Sequence, residues 1–156
     1  MAYRTQITSK FKQQWKNYLW QSLLVVFVLF VIVIALGEEK IVTISSMGAT
    51  AFIIFAMPKG VSAKTKNVVG GHLVGLGCGA IFYFIALPYW AEYPLVVGLA
   101  ILVMVALDVE HPPAAGTALA VVINEISLNA FVTIMLSAVI LSQCRHHLRK
   151  YLKDLV

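Results

Sequence analysis

Two short stretches hold most of the residues of this chain that could do chemistry in an apolar setting: "SSMGAT" at 45–50 and "HPPAAGT" at 111–117. Each breaks an apolar run that then resumes, and the small-residue quartets "GATA" at 48–51 and "AGTA" at 115–118 sit just past the breaks. A helix starting after such a break leaves its first backbone N–H groups without intrahelical partners and concentrates about half a positive charge at that end. Two such ends facing each other make a site for a small anion. In that site Ser45 or Ser46 is expected to cap one helix, which Met47 opens. Pro113 starts the other, its fixed φ being suited to a first turn. Thr50 and Thr117 contribute hydroxyls, while Gly48, Ala49, Ala114, Ala115 and Gly116 are small enough to let a ligand reach the backbone. The plainer alternative is that Gly, Ala and Thr are there to pack membrane helices closely.

His72 and His111 lie within or beside apolar segments. Histidine titrates near neutral pH, which suits proton-linked gating or electrostatic support of an anion, and His111 belongs to the expected binding site as well. Asp108 and Glu110, just ahead of the second break, join the candidate gating group. A carboxylate at membrane depth costs about 2.5–3.5 kcal/mol on insertion scales, so both acids are expected at the interface or in a water-filled vestibule. The competing chemistry is metal: two histidines on different helices could ligate haem iron, and His72, Asp108, Glu110 and His111 together could form a mixed site. His111 precedes a helix break, and no Cys-x-x-Cys or His-x-x-x-His spacing supports that reading, so neither metal nor cofactor is expected. No nucleophile elbow, phosphate loop or His-Glu-x-x-His occurs, and no enzymatic activity is expected. The alternative to an anion transporter is a non-transporting membrane protein, either a haem or metal binder or a scaffold or assembly subunit.

The elements that must position these residues are membrane elements. The chain is 60% hydrophobic and 12% charged, against about 25% charged in soluble domains. Its net charge of +5 is confined to the flanks of apolar segments, the pattern of cytoplasmic loops and not of a nucleic-acid surface. "MAYRTQITSKFKQQWKNYLW" reads as a basic amphipathic lead that lacks the form of a cleavable signal. Cys78 and Cys144 do not suggest a disulfide framework.

Four segments read as transmembrane helices, at 17–36, 68–87, 94–107 and 127–144, the third short for a core that takes about 20 residues. Lysines and arginines cluster before the first helix, in the Lys59 to Lys66 loop and after the last helix. For all three clusters to be cytoplasmic, the leftover stretches 41–57 and 112–123 must also cross. The first is expected to do so as an extended piece from Ile41 to Ser46 followed by a helix from Met47 to Met57. Glu38, Glu39, Glu92 and Glu125 then fall outside. The expected architecture is an all-α membrane protein of four transmembrane helices plus two membrane-embedded half-helices. It forms one membrane domain: a cytoplasmic lead at 1–16, repeat 1 at 17–87, repeat 2 at 94–144 and a basic cytoplasmic tail at 145–156, with His146 and His147 in the solvated part. Three crossings per repeat is odd, so the repeats are inverted, with the site at the midplane between broken helices. Gly71, Gly75 and Gly79 form a small-xxx-small face for a close helix contact, within the subunit or in a dimer. The expected partners are a small inorganic anion, the lipid bilayer and a second copy of the chain, in a bacterial inner membrane with both termini cytoplasmic.

"SSMGATAFIIFAMP", "KNVVGGH" and "HPPAAGTALA", in that order, resemble the HPP family of integral membrane proteins, whose His-Pro-Pro is here His111-Pro112-Pro113. The resemblance covers nearly the whole chain. It implies a compact protein usually described as four transmembrane helices, with plant plastid and cyanobacterial members linked to nitrite transport. "AAGTA" stands where the family pattern has "AGATA" or similar, a swap between small residues.

Overall fold

Inside a bilayer there is no water to satisfy backbone N–H and C=O groups, so a chain this apolar closes its hydrogen bonds within helices. The computed structural model describes the backbone of residues 2–36, 41–124 and 127–156, and their side chains apart from 2–11, 35, 36 and 41–44. Among the described residues every regular element is helical: α1 (Ala2–Leu36), α2 (Ile41–Ala56), α3 (Thr65–Ile85), α4 (Tyr89–Ala106), α5 (Pro113–Asn124) and α6 (Leu128–Leu148), with a 3-10 turn at Val61–Ala63. Among the described residues four spans are long and apolar enough to cross a membrane: Lys12–Ile34 within α1, and α3, α4 and α6. Helices α2 and α5 are the short apolar pair, about 24 and 18 Å long at 1.5 Å per residue.

Two elements correct the sequence reading. Residues 41–46 are not extended, because α2 is continuous from Ile41. The β-branched "IVTI" has modest helix propensity, but an extended stretch would leave backbone groups unpaired where the solvent is lipid, and that cost overrides propensity. Ser45 and Ser46 therefore lie inside the helix and cap nothing. The second correction concerns residues 88–93, which fall between the expected helices at 68–87 and 94–107 with Glu92 outside. Helix α4 starts at Tyr89, with Pro88 at its N-cap and Glu92 buried in its first turn, where a carboxylate complements the helix dipole. The backbone N–H groups of Ala91 and Glu92 both donate to the Pro88 carbonyl at 2.9 Å. The helix reaches 18 residues, about 27 Å, which removes the shortfall of the 94–107 reading. Glu38, Glu39 and Glu125 lie outside the described residues.

The glycine face of α3 is spent on α5. A Cβ at Gly71 would sit 2.6 Å from the His111 Cβ, one at Gly79 would sit 2.5 Å from the Val121 Cβ, and one at Gly75 would run into the Ala114 carbonyl oxygen. This is the small-residue contact within the subunit, so the glycines supply no dimer surface. Outward-facing Leu23, Phe27, Phe30, Phe84, Leu102 and Leu128 are well exposed, as helices that face acyl chains should be.

Contacts place three connections at one end. The Lys66 ammonium meets the Asp108 carboxylate at 2.6 Å, joining the start of α3 to the α4–α5 connection. The C-terminal segment folds back to the same end. Leu155 N–H donates to the Ala56 carbonyl at 2.9 Å, and Lys59 N–H donates to Asp154 Oδ1 at 3.2 Å. Buried Gln21 of α1 clamps this segment, donating to the Lys153 carbonyl at 2.9 Å and accepting from Lys153 N–H at 3.1 Å, with its Nε2 also on the Phe55 carbonyl. The tail expected to be solvated is thus docked from Leu152, itself buried, onward, although His146 and His147 are exposed.

Helix α3 ends at Ala86, whose φ of 52° lies in the left-handed region and whose N–H donates to the Phe82 carbonyl. An L-residue with a Cβ is strained there by about 1–2 kcal/mol, and glycine is not. Ala86→Gly is therefore expected to raise the thermal midpoint in detergent by a few degrees; a lower midpoint would mean that the cap is not strained.

Candidate functional site

Ser46 and Thr50 are four residues apart on α2, as Pro113 and Thr117 are on α5, so each pair shares a helix face. These faces meet, and His72 of α3 enters between them where Gly71 and Gly75 let α5 come close. His111 arrives from the α4–α5 connection. That connection is set by a Schellman turn, in which Val109 N–H donates to the Met104 carbonyl at 2.9 Å and Asp108 N–H to Val105 at 3.2 Å, with Asp108 at a left-handed φ of 54°. Pro112 and Pro113 then start α5, and Ala114 N–H donates to the His111 carbonyl.

The result is a chain of polar side chains. Ser46 Oγ lies 2.8 Å from Thr117 Oγ1, which lies 2.8 Å from His72 Nδ1. His72 Nε2 lies 3.0 Å from Thr50 Oγ1, which lies 3.0 Å from His111 Nε2. His111 Nδ1 ends the chain 2.8 Å from the Ser62 carbonyl oxygen. Thr50, His72, His111 and Thr117 are 0% exposed and Ser46 is 5% exposed. Two further carbonyls stand 2.9 Å from the hydroxyls, that of Pro113 from Ser46 Oγ and that of Ser46 from Thr50 Oγ1.

The Ser62 carbonyl sets the direction of the chain. It can only accept, so His111 carries its proton on Nδ1, and a neutral ring then leaves Nε2 as an acceptor. For every ring nitrogen to be satisfied, Thr50 donates to that nitrogen in preference to the Ser46 carbonyl and accepts from His72 Nε2–H. His72 Nδ1 then accepts from Thr117, which accepts from Ser46. Every member gives one proton to the next, the arrangement expected of a satisfied buried network.

The expected binding residues divide sharply. Ser46, Thr50, His111, Pro113 and Thr117 come together, and His72 is their centre. Ala114 is buried against Gly75, and Met47 is in the apolar core. Ser45 and Ala49 are exposed, Ala115 and Gly116 are half-buried, and Gly48 faces a different cleft of about 510 Å³ between α1 and α2. Only α5 brings a helix start to the site; α2 begins more than a turn before Ser46 and offers side chains instead of free N–H groups. Asp108 is exposed and paired with Lys66, which holds its carboxyl below the usual carboxylate range. Glu110 meets Asn67, whose Nδ2 donates to the Glu110 carbonyl at 3.2 Å. A cleft of about 290 Å³ beside Met104 and Pro112 reaches Glu110 and His111.

Sequence reasoning missed Ser62, Asn67 and Gln21. A lone amide in an apolar helix is itself a signal of a buried bond, and Gln21 in "LWQSLLVV" carried it. Ser62 acts through its carbonyl, which no residue type announces. The haem alternative needs two imidazoles facing each other across a slot. Here the rings meet edge-on, with centroids 5.1 Å apart and planes at 61°, both bonded to one threonine hydroxyl. Among the described residues no group of three or more His, Cys, Asp or Glu side chains is placed to hold a metal ion.

Residues 10–151 match the family described as HPP, transmembrane region. Two proteins of Dictyostelium discoideum, each described as a transmembrane protein, are 34% identical to this chain, one over 90 residues and the other over 96. Those matches cover 54% and 58% of this chain but 31% and 30% of the relatives, so the chain spans about a third of their length. No solved structure matches the chain.

Proposed function

The chain belongs to the HPP transmembrane family, and from that membership and the buried polar junction we propose that it carries a small inorganic anion across the membrane, nitrite being the candidate that the family resemblance implies. The observation that carries this reading is the meeting of two short helices, α2 and α5, at hydroxyls and imidazoles sealed from solvent. Polar groups so placed inside apolar helices mark a substrate path more often than a packing device. An anion entering the junction would take the Thr50 and Thr117 hydroxyl protons and an imidazole N–H in place of their present partners. Small neutral donors of that kind suit a small monovalent anion better than a large organic one.

Alternating access needs two units that rock about the site, and the contacts support an inverted repeat. Exchanging α1 with α4, α2 with α5 and α3 with α6 maps α3–α5 onto α2–α6, α1–α2 onto α4–α5, and α3–α4 onto α1–α6, each a pair in contact although α1 and α6 touch only slightly. The aligned positions Ser46 and Pro113 touch, and the aligned Thr50 and Thr117 share His72. The end that holds Lys59, Lys64, Lys66 and the C-terminal segment is the cytoplasmic one by its charge, in a bacterial inner membrane. Self-association, expected as a dimer, would use a face other than the glycines of α3.

Uptake of nitrite, nitrate, formate and chloride into proteoliposomes tests the assignment, with Thr50→Val and Thr117→Val beside wild type. The expected result is nitrite flux that falls at least about tenfold in either variant, on the order of 1.4 kcal/mol per tenfold in a barrier. Equal flux in empty and protein-bearing vesicles for all four anions would end the reading.

A further inference from the structure

The chain from Ser46 to His111 has more acceptors than its neutral state uses. With both rings neutral and every ring nitrogen satisfied, each of Ser46, Thr117, His72, Thr50 and His111 gives one proton toward Ser62, and the Ser46 hydroxyl, which can donate to either Thr117 or the Pro113 carbonyl at 2.9 Å, gives its proton to Thr117. The Pro113 carbonyl, a spare acceptor at the head of a directed chain, is where a reversed chain would end. We propose that these five side chains form a proton-binding relay, in which one proton added at the Ser46 end appears as charge on His111 and leaves every intervening hydrogen bond reversed.

The transfer balances step by step. Ser46 takes the incoming proton and passes its own to Thr117. Thr117 passes its proton to His72 Nδ1, and His72 passes the one on Nε2 to Thr50. Thr50 passes its proton to His111 Nε2. Each O–H or N–H bond that breaks is matched by one that forms, and the net change is one positive charge on His111. Each hydrogen bond then runs the other way: His111 donates to Thr50, Thr50 to His72, His72 through Nδ1 to Thr117, Thr117 to Ser46 and Ser46 to the Pro113 carbonyl. His111 still donates from Nδ1 to Ser62. Both proton arrangements satisfy the same heavy-atom positions, which a merely structural network would not require.

The surroundings fit this use. Ser46, at the entry end, is the one member with measurable exposure, 5% against 0% for the rest. At the other end His111 follows Glu110, whose Oε2 lies 3.5 Å from Asn67 Nδ2. The packed elements add little other charge: α2 and α5 carry no titratable side chain, and α3 adds Cys78, nearly two turns from His72, Tyr83 near its far end, and Lys66 in its first turn. Asp108 is bonded to Lys66, Lys59 and Lys64 lie in the loop before α3, and Glu92 is at the far end of α4. On α6, Cys144 is half-buried and Arg145 donates to the Pro58 carbonyl at 2.8 Å. His111 therefore gains its charge beside one neutral histidine, with dipoles supplied by Ser62 and Thr50.

Solid-state NMR of full-length protein in lipid, with ¹⁵N-labelled histidine, reads the relay directly. His146→Gln and His147→Gln, both at exposed positions, remove the other two rings from the spectrum. At neutral pH His72 is expected as the Nε2–H tautomer and His111 as Nδ1–H; on acidification His111 gains its second proton and His72 switches to Nδ1–H in the same step. Thr50→Ser should keep the joint change, and Thr50→Val, which interrupts the chain between the two rings, should abolish it, so that the His72 tautomer no longer follows the charge of His111. The relay is refuted by like tautomers for both rings at neutral pH, by a His72 tautomer indifferent to the charging of His111, or by rings that stay neutral until the protein unfolds. No anion is present in this experiment, so a failure of nitrite flux and a failure of the relay are separate results.

Discussion

Gly75→Ala is expected to destabilise the protein by about 1–3 kcal/mol or more, the range for forcing extra volume into a well-packed interior. The added Cβ would run into the Ala114 carbonyl oxygen and stand 3.2 Å from the carbonyl carbon and 3.4 Å from Ala118 N. All three are backbone atoms of α5, so no side-chain rotation relieves the contact and the two helices must separate. Separation would also draw Thr117 away from His72, one link in the polar chain. The control lies two residues on. A Cβ at Gly77 meets nothing within 4 Å, and Gly→Ala in a helix is intrinsically favourable by up to about 1 kcal/mol. Thermal unfolding in detergent should therefore place Gly77→Ala at or above wild type and Gly75→Ala well below it. Equal midpoints would show that the α3–α5 contact is not tight.

The class, the crossing segments and most of the site were legible in the sequence because each rests on local chemistry. Apolar runs with basic flanks mark crossings, and Thr50, Thr117 and His111 stood out as polar residues beside breaks. The errors share one cause. An extended stretch at 41–46 lets a short broken segment span the core, and residues 88–93 read as an external connection between two apolar runs; both readings leave backbone groups open as if water could satisfy them, whereas the chain continues as helix. Once α2 is helical from Ile41, its N-terminus no longer faces α5, and the site gains its polarity from side chains instead of two helix dipoles.

The centre of the site was legible only in part for a different reason. His72 was singled out for its type, but its joining of Thr50 to Thr117 depends on how α3 rotates against α2 and α5. Three glycines determine that rotation, and their spacing read equally well as a dimer contact. The same contact carries His111 to within bonding distance of Thr50, so glycine spacing and histidine chemistry, separate in the sequence, are one feature of the fold.

His72→Ala is expected to cost about 3–5 kcal/mol, the range for truncating a large buried side chain, with the two threonine hydroxyls left to repair their bonds as the cavity allows. Bulk alone would give a similar number, so the decisive measurement is a double-mutant cycle on Thr50→Val and Thr117→Val. The two hydroxyls touch different nitrogens of one imidazole. Removing either frees the ring's other nitrogen from its fixed role as donor or acceptor, so the second loss should matter less than the first. Single interhelical hydrogen bonds in membrane proteins average about 0.6 kcal/mol and reach about 1.7 kcal/mol, and groups in one network couple by about 0.5–3 kcal/mol. The expected coupling is thus of the same size as the single losses, although the threonines lie on different helices. Repeating the cycle in a His72→Leu background should abolish the coupling, since leucine fills space but relays no hydrogen bond. Additive losses in the wild-type background would mean that the two halves of the junction are held by packing and that the ring joins them only in space.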